Sequence, residues 1–322
     1  EELDSHTVET YNADPAGTID SVFDIYRAIG LTPITYFTEA GLTARVREVQ
    51  KLSYNGVKNN RINLGNNRGQ EISRFVFPNM MTAEPKGRGS NSLKDRFLDD
   101  AKLKRAIRIC FEFREGNHLV YPTAMRRALE LVTGENVQNF KNQNARAIAE
   151  HLCPVMFGNI YDYSAGYGGR LLGITASNMR YNYTGIDPNT ETIKYLNYLN
   201  TLVDNPGAIV QNVSEDYQPE DIDLAFSSPP YFNLEKYSDE DTQCMVRYRT
   251  LNEWFSGYVE PTMENIYRGL NKQGLFATNI ADYKSYDRKE PYEVCERWIQ
   301  TAEKVGFRFN GMIKMMLNTR PG

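Results

Sequence analysis

Residues 159–169, Asn-Ile-Tyr-Asp-Tyr-Ser-Ala-Gly-Tyr-Gly-Gly, decide the fold of this 322-residue chain. The first five residues form a short apolar run, which predicts a buried strand. The glycines that follow allow a tight turn and let a ligand approach the backbone. A helix is predicted from Arg170 onward, so the backbone N–H groups of the turn open onto a helix start. A strand, a glycine-rich turn and a helix in this order are typical of nucleotide sites in α/β proteins.

The same alternation of strands and helices continues along the chain. Further strands are predicted at residues 183–187, 208–213, 221–226 and 274–280, and helices at residues 189–203, 251–270 and 291–305. This order predicts an α/β fold with a mostly parallel, Rossmann-like sheet. Residues 307–309 and 312–317, separated by Asn310-Gly311, predict a closing antiparallel hairpin.

Three of the predicted strands are followed by carboxylates. Asp162 ends the first strand, Asp187 closes the second, and Asp216 follows the third. Ligands bind at the carboxyl ends of strands in such sheets, and a carboxylate at the second strand can accept from both ribose hydroxyls of an adenosine. Asp216 could accept from an adenine amino group. The alternatives are a turn residue before Pro188 for Asp187, and a solvated loop for Asp216 or Glu215.

The fourth strand ends at Ser227-Ser228-Pro229-Pro230-Tyr231-Phe232. Neither proline can donate to a sheet ladder, and each restricts the residue before it, so a stiff extended turn is predicted. This turn carries one hydroxyl at Ser228 and one aromatic ring at Tyr231. By itself it could equally be an ordinary proline turn, but it follows the glycine loop and Asp187 in order.

Together, residues 162–169, Asp187 and residues 228–231 resemble the successive motifs of S-adenosylmethionine-dependent DNA amino-methyltransferases. The resemblance covers about residues 139–317 and implies a class I methyltransferase fold. It implies that Asp187 binds the ribose of S-adenosylmethionine and that Phe140 lines the methionine end. The other residues to which it gives roles are the cofactor-binding Asp162, Ser164, Ala165, Gly166 and Gly168, and the catalytic Ser228, Pro229, Pro230 and Tyr231.

The sequence departs from the family pattern in two places. Tyr163 replaces a proline, and Gly169-Arg170 stands where the family has a glycine and a small hydroxyl residue. No long insertion follows Tyr231, where some members carry a target-recognition domain. Target recognition is therefore expected upstream of the sheet.

The resemblance also implies a mechanism. The lone pair of an exocyclic amine is delocalised into the base, so the amine needs hydrogen-bond acceptors that make it more tetrahedral. Ser228 Oγ and the Pro229 carbonyl could accept those bonds and aim the lone pair at the methyl group, which transfers in line. Tyr231 would stack on a base flipped out of duplex DNA. Adenine N6 and cytosine N4 both remain candidates, and the alternatives are an RNA base methyltransferase or a non-catalytic DNA-binding module.

The net charge of −4 is distributed unevenly along the chain. Residues 1–39 contain one Lys or Arg against eight Asp or Glu, residues 40–150 contain twenty against eleven, and residues 151–322 contain sixteen against twenty-two. The basic middle favours a polyanionic partner, although a solvated surface would give the same pattern. We therefore predict an extension at residues 1–138, mainly helical and basic, before a catalytic domain at residues 139–322. Candidate nucleic-acid contacts in the extension are Lys58, Arg61, Arg68, Lys86 and Arg88.

The remaining composition predicts a cytoplasmic protein. No run approaches the ~20 apolar residues of a membrane span, and the polar, acidic N-terminus does not predict a signal peptide. Four cysteines without a C-x-x-C pair and three histidines predict reduced thiols and no metal site. The sequence identifies no nuclease partner.

Overall fold

A computed structural model describes residues 2–30, 37–62, 67–85, 91–113, 119–134, 136–153, 155–284 and 289–315. The helices are α1 Val8–Ala13, α2 Pro15–Ile29, α3 Glu39–Gln50, α4 Gln70–Val76, α5 Leu93–Leu98, α6 Asp100–Glu112, α7 Pro122–Thr133, α8 Asn142–Leu152, α9 Gly169–Ile174, α10 Thr190–Asn200, α11 Cys244–Arg247, α12 Leu251–Trp254, α13 Glu260–Gly269 and α14 Cys295–Val305. A π-helical turn, Phe255–Val259, joins α12 to α13. The strands are β1 Arg61–Ile62, β2 Asn159–Asp162, β3 Asn182–Asp187, β4 Ala208–Gln211, β5 Ile222–Ser227, β6 Leu270–Thr278 and β7 Lys314–Met315.

The central sheet has the strand order β4-β3-β2-β5-β6, and each neighbouring pair is parallel. This is the Rossmann-like order, in which the chain adds strands to one side of β2 and then to the other. The predicted α/β fold with a mostly parallel, Rossmann-like sheet is confirmed. The direction of strand addition reverses between β2 and β5. The glycine loop after β2 and the proline turn after β5 therefore lie at neighbouring strand ends.

Both faces of the sheet are covered, as a parallel sheet requires. Ile160 and Leu224 face a core that includes α8, α9 and α10, whereas Tyr161 and Ala225 face a second cluster with Ile266 of α13. This alternation follows from the two-residue period of side chains along a strand.

The predicted closing hairpin is not formed in the described part of the chain. Residues 307–313 contain no strand, and β7 pairs in parallel with β1, matching Lys314 to Arg61 and Met315 to Ile62. Leu317, which the prediction included, lies outside the described residues. The Asn-Gly pair favours a turn, but it cannot form a hairpin when one flanking segment pairs with a distant strand.

The N-terminal residues pack into two different cores. Leu42, Val46 and Phe77 belong to the core under the sheet, together with residues of α8 to α10. Most of α2, α5, α6 and α7 instead surround a separate helical core that includes Val22, Leu103 and Leu129. The predicted division at residue 138 stays a prediction. Within the described ranges, no helix combines the length and the apolar character that crossing a membrane requires.

The contact between α8 and α9 depends on glycine. A Cβ atom at Gly169 would lie 2.0 Å from the carbonyl oxygen of Phe140, and one at Gly173 would lie 2.0 Å from that of Asn142. Both distances are far below van der Waals contact with a backbone atom. The two glycines thus allow α9 to lie directly against the start of α8, which fixes the glycine loop that precedes α9.

We predict that Gly173→Ala destabilises the protein. Helix propensity alone would favour alanine by about 1 kcal/mol, but overpacking against a backbone oxygen costs about 1–3 kcal/mol. The free energy of unfolding, measured by urea denaturation, should therefore fall. Gly56→Ala is the control, because a Cβ atom there meets nothing within 4 Å. An unchanged or increased stability of Gly173→Ala would contradict the close packing of α8 and α9.

Candidate active site

Asp162, at the end of β2, is fully buried, with 0% of its surface exposed. One carboxylate oxygen accepts hydrogen bonds from Arg170 Nε and from the Tyr183 hydroxyl, both at 2.8 Å. The other accepts from Ser227 Oγ at 2.6 Å and from the Ser164 backbone N–H at 3.4 Å. Its predicted contact with a cofactor stays a prediction, and the contacts that it makes join β2 to Tyr183 of β3 and Ser227 of β5.

Arg170, directly after the glycine loop, holds the loop in place. Its guanidinium forms the buried ion pair with Asp162 and donates a second hydrogen bond to the Ser164 carbonyl. Burial lowers the pKa of Arg170, but the adjacent Asp162 carboxylate more than offsets this, and the net pKa is raised. The arginine therefore stays charged and fixes the glycine loop through the Ser164 carbonyl. A small hydroxyl residue at this position could not neutralise Asp162.

The glycine loop is joined directly to the end of β3. The Gly166 N–H donates to Asp187 Oδ2 at 3.0 Å, and the Asn189 N–H donates to Oδ1 at 3.0 Å. Gly166 and Gly168 have φ values of 56° and 73°, a region that favours glycine. Burial raises the pKa of Asp187 to about 6, although the two backbone N–H groups oppose the shift. Asp187 as a whole residue is half-buried.

The other residues of the loop are anchored below the same edge. Ala165 is buried and its N–H donates to the Ile186 carbonyl at 2.7 Å, whereas Ser164 Oγ lies 3.2 Å from the Tyr258 hydroxyl. Phe140 packs edge to face on Phe226 of β5, with ring centroids 5.7 Å apart. The predicted methionine-end segment and the loop are therefore adjacent.

The carboxylate that is buried after β4 is Glu215 rather than Asp216. The Glu215 side chain is 5% exposed and accepts hydrogen bonds from Arg247 Nη1 at 2.9 Å and the Tyr248 hydroxyl at 2.7 Å. Burial raises its pKa. The Asp216 side chain is 63% exposed and lies 3.8 Å from Arg247. Solvent exposure favours the solvated-loop alternative for Asp216, which the sequence left open.

Ser228 is oriented by a residue of the neighbouring strand end. Asn279 Nδ2 donates to Ser228 Oγ at 3.0 Å, and Ser228 Oγ lies 3.5 Å from the Asn279 carbonyl oxygen. Asn279 follows β6 directly, and its N–H donates to the Ser227 carbonyl at 2.9 Å. A hydroxyl oxygen can accept two hydrogen bonds, so one acceptor position of Ser228 is used by Asn279. Pro229 is buried and Pro230 half-buried beside it.

Tyr231 belongs to an aromatic wall. Its half-buried ring packs edge to face on Tyr283, with centroids 5.0 Å apart, and Tyr283 stacks on Tyr292 at 5.4 Å. Burial raises the pKa of the Tyr231 hydroxyl to about 12. Asn233 supports the wall, because its side-chain oxygen accepts from the Tyr283 hydroxyl at 3.1 Å. Phe232 and Trp254 are both buried and pack against each other, as core residues do.

Glu235, four residues after Tyr231, is a half-buried carboxyl group that the sequence did not single out. The Tyr237 hydroxyl and the Gln138 N–H donate hydrogen bonds to it. Burial raises its pKa to about 7, and those two hydrogen bonds oppose the shift. The Tyr237 ring in turn lies 6.2 Å from the ring of Tyr167 in the glycine loop. Glu235 therefore lies between the segment before α8 and the proline turn.

The predicted nucleic-acid contacts are only partly described. Lys58 and Arg61 are brought together by a tight turn through Asn59 and Asn60, which both have positive φ values, and all four residues are exposed. Arg68 is also exposed. Lys86 and Arg88 lie outside the described residues.

Simple signals in the sequence could have identified some of the residues that were missed. Asn279 is a polar residue at the carboxyl end of an apolar strand, as Asp162 and Asp187 are. Glu215 is adjacent to the residue that was chosen, and only the packing of Arg247 and Tyr248 distinguishes the two. The burial of Glu235 depends on Gln138, which is distant in sequence, so no local pattern predicts it.

No family model matches the sequence, and a search of curated proteins finds no similar chain. Among solved structures, an S-adenosylmethionine-dependent O-methyltransferase from Thermotoga maritima is 15% identical, over 55% of this chain and 53% of its own, with a TM-score of 0.34. The precorrin-6y C5,15-methyltransferase from Geobacter metallireducens is 12% identical, over 51% of this chain and 70% of its own, with a TM-score of 0.34. Aeropyrum pernix fibrillarin with bound S-adenosyl-L-methionine is 13% identical, over 52% of this chain and 66% of its own, with a TM-score of 0.34. This chain thus spans about half the length of the O-methyltransferase, and likeness at this level assigns no activity.

We predict that Glu235→Gln changes how stability depends on pH. Because the pKa of Glu235 is raised, the folded protein binds more protons than the unfolded chain between about pH 4.5 and pH 7. The stability of the wild type therefore falls as pH rises through this window. The variant lacks this loss, so its free energy of unfolding relative to wild type should increase by at least about 1.4 kcal/mol, equivalent to one pKa unit.

Urea denaturation at pH 4.5, 5.5, 6.5 and 7.5 measures this difference. Glu220→Gln, at an exposed position, is the matched control and should follow the wild type. A constant difference between Glu235→Gln and wild type across the window would show that Glu235 titrates normally.

Proposed function

We propose that the protein transfers a methyl group from S-adenosylmethionine to an exocyclic amine of a nucleic-acid base. One observation carries the proposal. The glycine loop follows β2, Asp187 ends β3 and Ser228 follows β5, and these adjacent carboxyl ends lie where the direction of strand addition reverses. Ligands bind at this position in open α/β sheets. The three motifs thus lie at neighbouring strand ends, although they are separated along the chain.

The residues at β2 and β3 fit the proposed cofactor. A Cβ atom at Gly168 would lie 2.5 Å from Leu199 Cδ2, and Gly166 lies in a left-handed conformation, so the loop presents backbone rather than side chains. Asp187 is fixed by two backbone N–H groups and keeps acceptor capacity for ribose hydroxyls. Glu215, rather than Asp216, is the buried acceptor that would lie nearest the adenine. When bound, S-adenosylmethionine would supply a methyl group that is electrophilic because its sulfur is positively charged.

The residues after β5 fit an amine acceptor. Ser228 Oγ, held by Asn279, keeps one acceptor position for an amine N–H, and the Pro229 carbonyl could accept a second. These two bonds would hold the nitrogen lone pair toward the methyl group. Bound S-adenosylmethionine would supply the methyl group, its sulfur would leave with the bonding electron pair, and water would take the proton that the methylated amine releases. Positioning of this kind supplies a large part of a barrier reduction.

A base is the amine-bearing substrate that the surroundings favour. Tyr231, supported by Tyr283 and Tyr292, offers aromatic surface beside Ser228, and base–aromatic stacking contributes about 1–3 kcal/mol per base. Lys58 and Arg61 place two exposed cations on one turn. We take duplex DNA as the substrate, with adenine N6 or cytosine N4 as the target, and cytoplasmic location stays a prediction.

Labelled methyl transfer tests the proposal directly. The protein is incubated with methyl-labelled S-adenosylmethionine and either duplex DNA or RNA, and the nucleosides are then identified by mass spectrometry. We expect labelled N6-methyladenine or N4-methylcytosine from DNA. Label in RNA alone would establish the RNA alternative, and label in neither would refute the proposal.

We further predict that Ser228→Ala lowers kcat by about 10²-fold or more, the low end of what a positioned catalytic group contributes, while the Kd for S-adenosylmethionine changes less than twofold. The adjacent Ser227→Ala is the contrasting variant. Ser227 Oγ is bonded to buried Asp162 rather than facing the amine, so its loss should reduce stability and cofactor affinity together. Equal losses of kcat and of cofactor affinity in Ser228→Ala would mean that Ser228 is structural.

A further inference from the structure

A small cavity lies between the helical core and the segment that leads into α8. Its volume is about 20 Å³, and the residues that carry its charge are Arg74, Arg96, Arg126 and Glu130. A cavity needs about 10–15 Å³ by this measure to hold one water molecule. There is therefore room for one or two oxygen-sized groups. Half-exposed Arg74 and exposed Gln138 also line it, so it lies close to solvent.

Two arginines of this cavity, Arg74 and Arg126, share one carboxylate, that of Glu130. Of its described lining residues, three are arginines and one, Glu130, is a carboxylate. Glu130 Oε1 lies 3.5 Å from Arg74 Nη2 and 3.9 Å from Arg126 Nε, while Oε2 is 2.8 Å from Arg127 Nη1 outside the cavity. The Glu130 carboxylate is thus shared by the guanidinium groups of Arg74, Arg126 and Arg127.

Arg126 is the residue with unused capacity. It is 2% exposed, and its Nε has no hydrogen-bond partner. Its Nη1 lies 3.5 Å from the Arg74 carbonyl oxygen. Burial lowers the pKa of Arg126 to about 10; Glu130 opposes this shift and Arg74 adds to it. The guanidinium therefore remains charged at neutral pH. A buried cation with an unpaired donor costs several kcal/mol unless a partner satisfies it.

We propose that this cavity binds an oxygen of a phosphate group, and that the phosphate belongs to the backbone of the nucleic-acid substrate. Guanidinium groups bind phosphate oxygens through charge-assisted hydrogen bonds, and the cavity has room for an oxygen rather than a whole ion. A phosphodiester can insert one non-bridging oxygen while its remainder stays at the surface. The backbone assignment rests on the proposed function, whereas the phosphate site does not.

The position of the cavity agrees with this use. Gln138 and Asn139 form part of its wall. The Gln138 N–H also donates to Glu235, and Asn139 Nδ2 donates to the Tyr167 carbonyl at 3.1 Å. The same segment thus contacts the cavity on one side and the proposed base and cofactor sites on the other. A phosphate held here would be separated from the glycine loop by residues 138–139.

Inorganic phosphate tests the site without any nucleic acid. Isothermal titration calorimetry at constant ionic strength compares wild type, Arg126→Gln and the control Arg105→Gln, which removes the same charge from an exposed position on α6. We expect Arg126→Gln to weaken phosphate binding at least tenfold and Arg105→Gln to change it less than twofold. Equal binding by wild type and Arg126→Gln would overturn the proposal, as would no binding by wild type.

A second variant protects the test against misfolding. Arg74 is 31% exposed, so Arg74→Gln should retain the fold, which circular dichroism melting checks. We expect it to weaken phosphate binding at least threefold. Unchanged binding in a folded Arg74→Gln protein would also count against the site.

The backbone assignment is tested with a fluorescein-labelled 30-base-pair DNA duplex. Fluorescence anisotropy between 50 and 200 mM NaCl gives the slope of log K against log salt, which should shrink by about 0.9 in Arg126→Gln if one phosphate contact is lost. An unchanged slope would overturn the backbone assignment. Arg126-dependent phosphate binding without methyl transfer to any nucleic acid would support the phosphate site while refuting the proposed function.

Discussion

The buried ion pair between Asp162 and Arg170 is the interaction on which the rest of the site depends. Removing one partner of such a pair typically costs about 3–5 kcal/mol, because the other charge is left without a partner. Here the carboxylate also holds Tyr183 of β3 and Ser227 of β5, so three strands meet at a single charged group. The positions of the glycine loop and the proline turn relative to each other follow from this contact.

Above this pair, the polar groups of the site are fixed mainly by backbone and amide donors. Asp187 is held by two N–H groups and Ser228 by Asn279. Groups fixed in this way need little reorganisation when a ligand binds, which favours catalysis by positioning. Burial raises the pKa values of Asp187 and Glu235 toward neutrality. The site is therefore rigid, and its charge changes with pH near the neutral range.

Charge in the N-terminal half is partly compensated within the fold. The acidic first segment pairs with the basic middle, as in Asp20 with Lys104, whose side chains lie 2.6 Å apart. Other cations of the middle, such as Arg96 and Arg126, are buried rather than on the surface. Among the described residues, part of the positive charge of residues 40–150 therefore lies in the interior. Both Arg96 and Arg126 line the cavity beside Gln138.

The sequence by itself determined the mostly parallel α/β sheet and the places of the glycine loop, Asp187 and the Ser228–Tyr231 turn at its strand ends. Each of these depends on local periodicity, on glycine and proline geometry, or on a motif in a fixed order. Only the tertiary structure decided that Arg170 neutralises Asp162, that Glu215 rather than Asp216 is buried, and that Asn279 orients Ser228. It also joined β7 to β1 in place of a hairpin. These outcomes share one physical reason. Burial and hydrogen-bond partners arise between residues that are far apart in the chain, and no local pattern contains them.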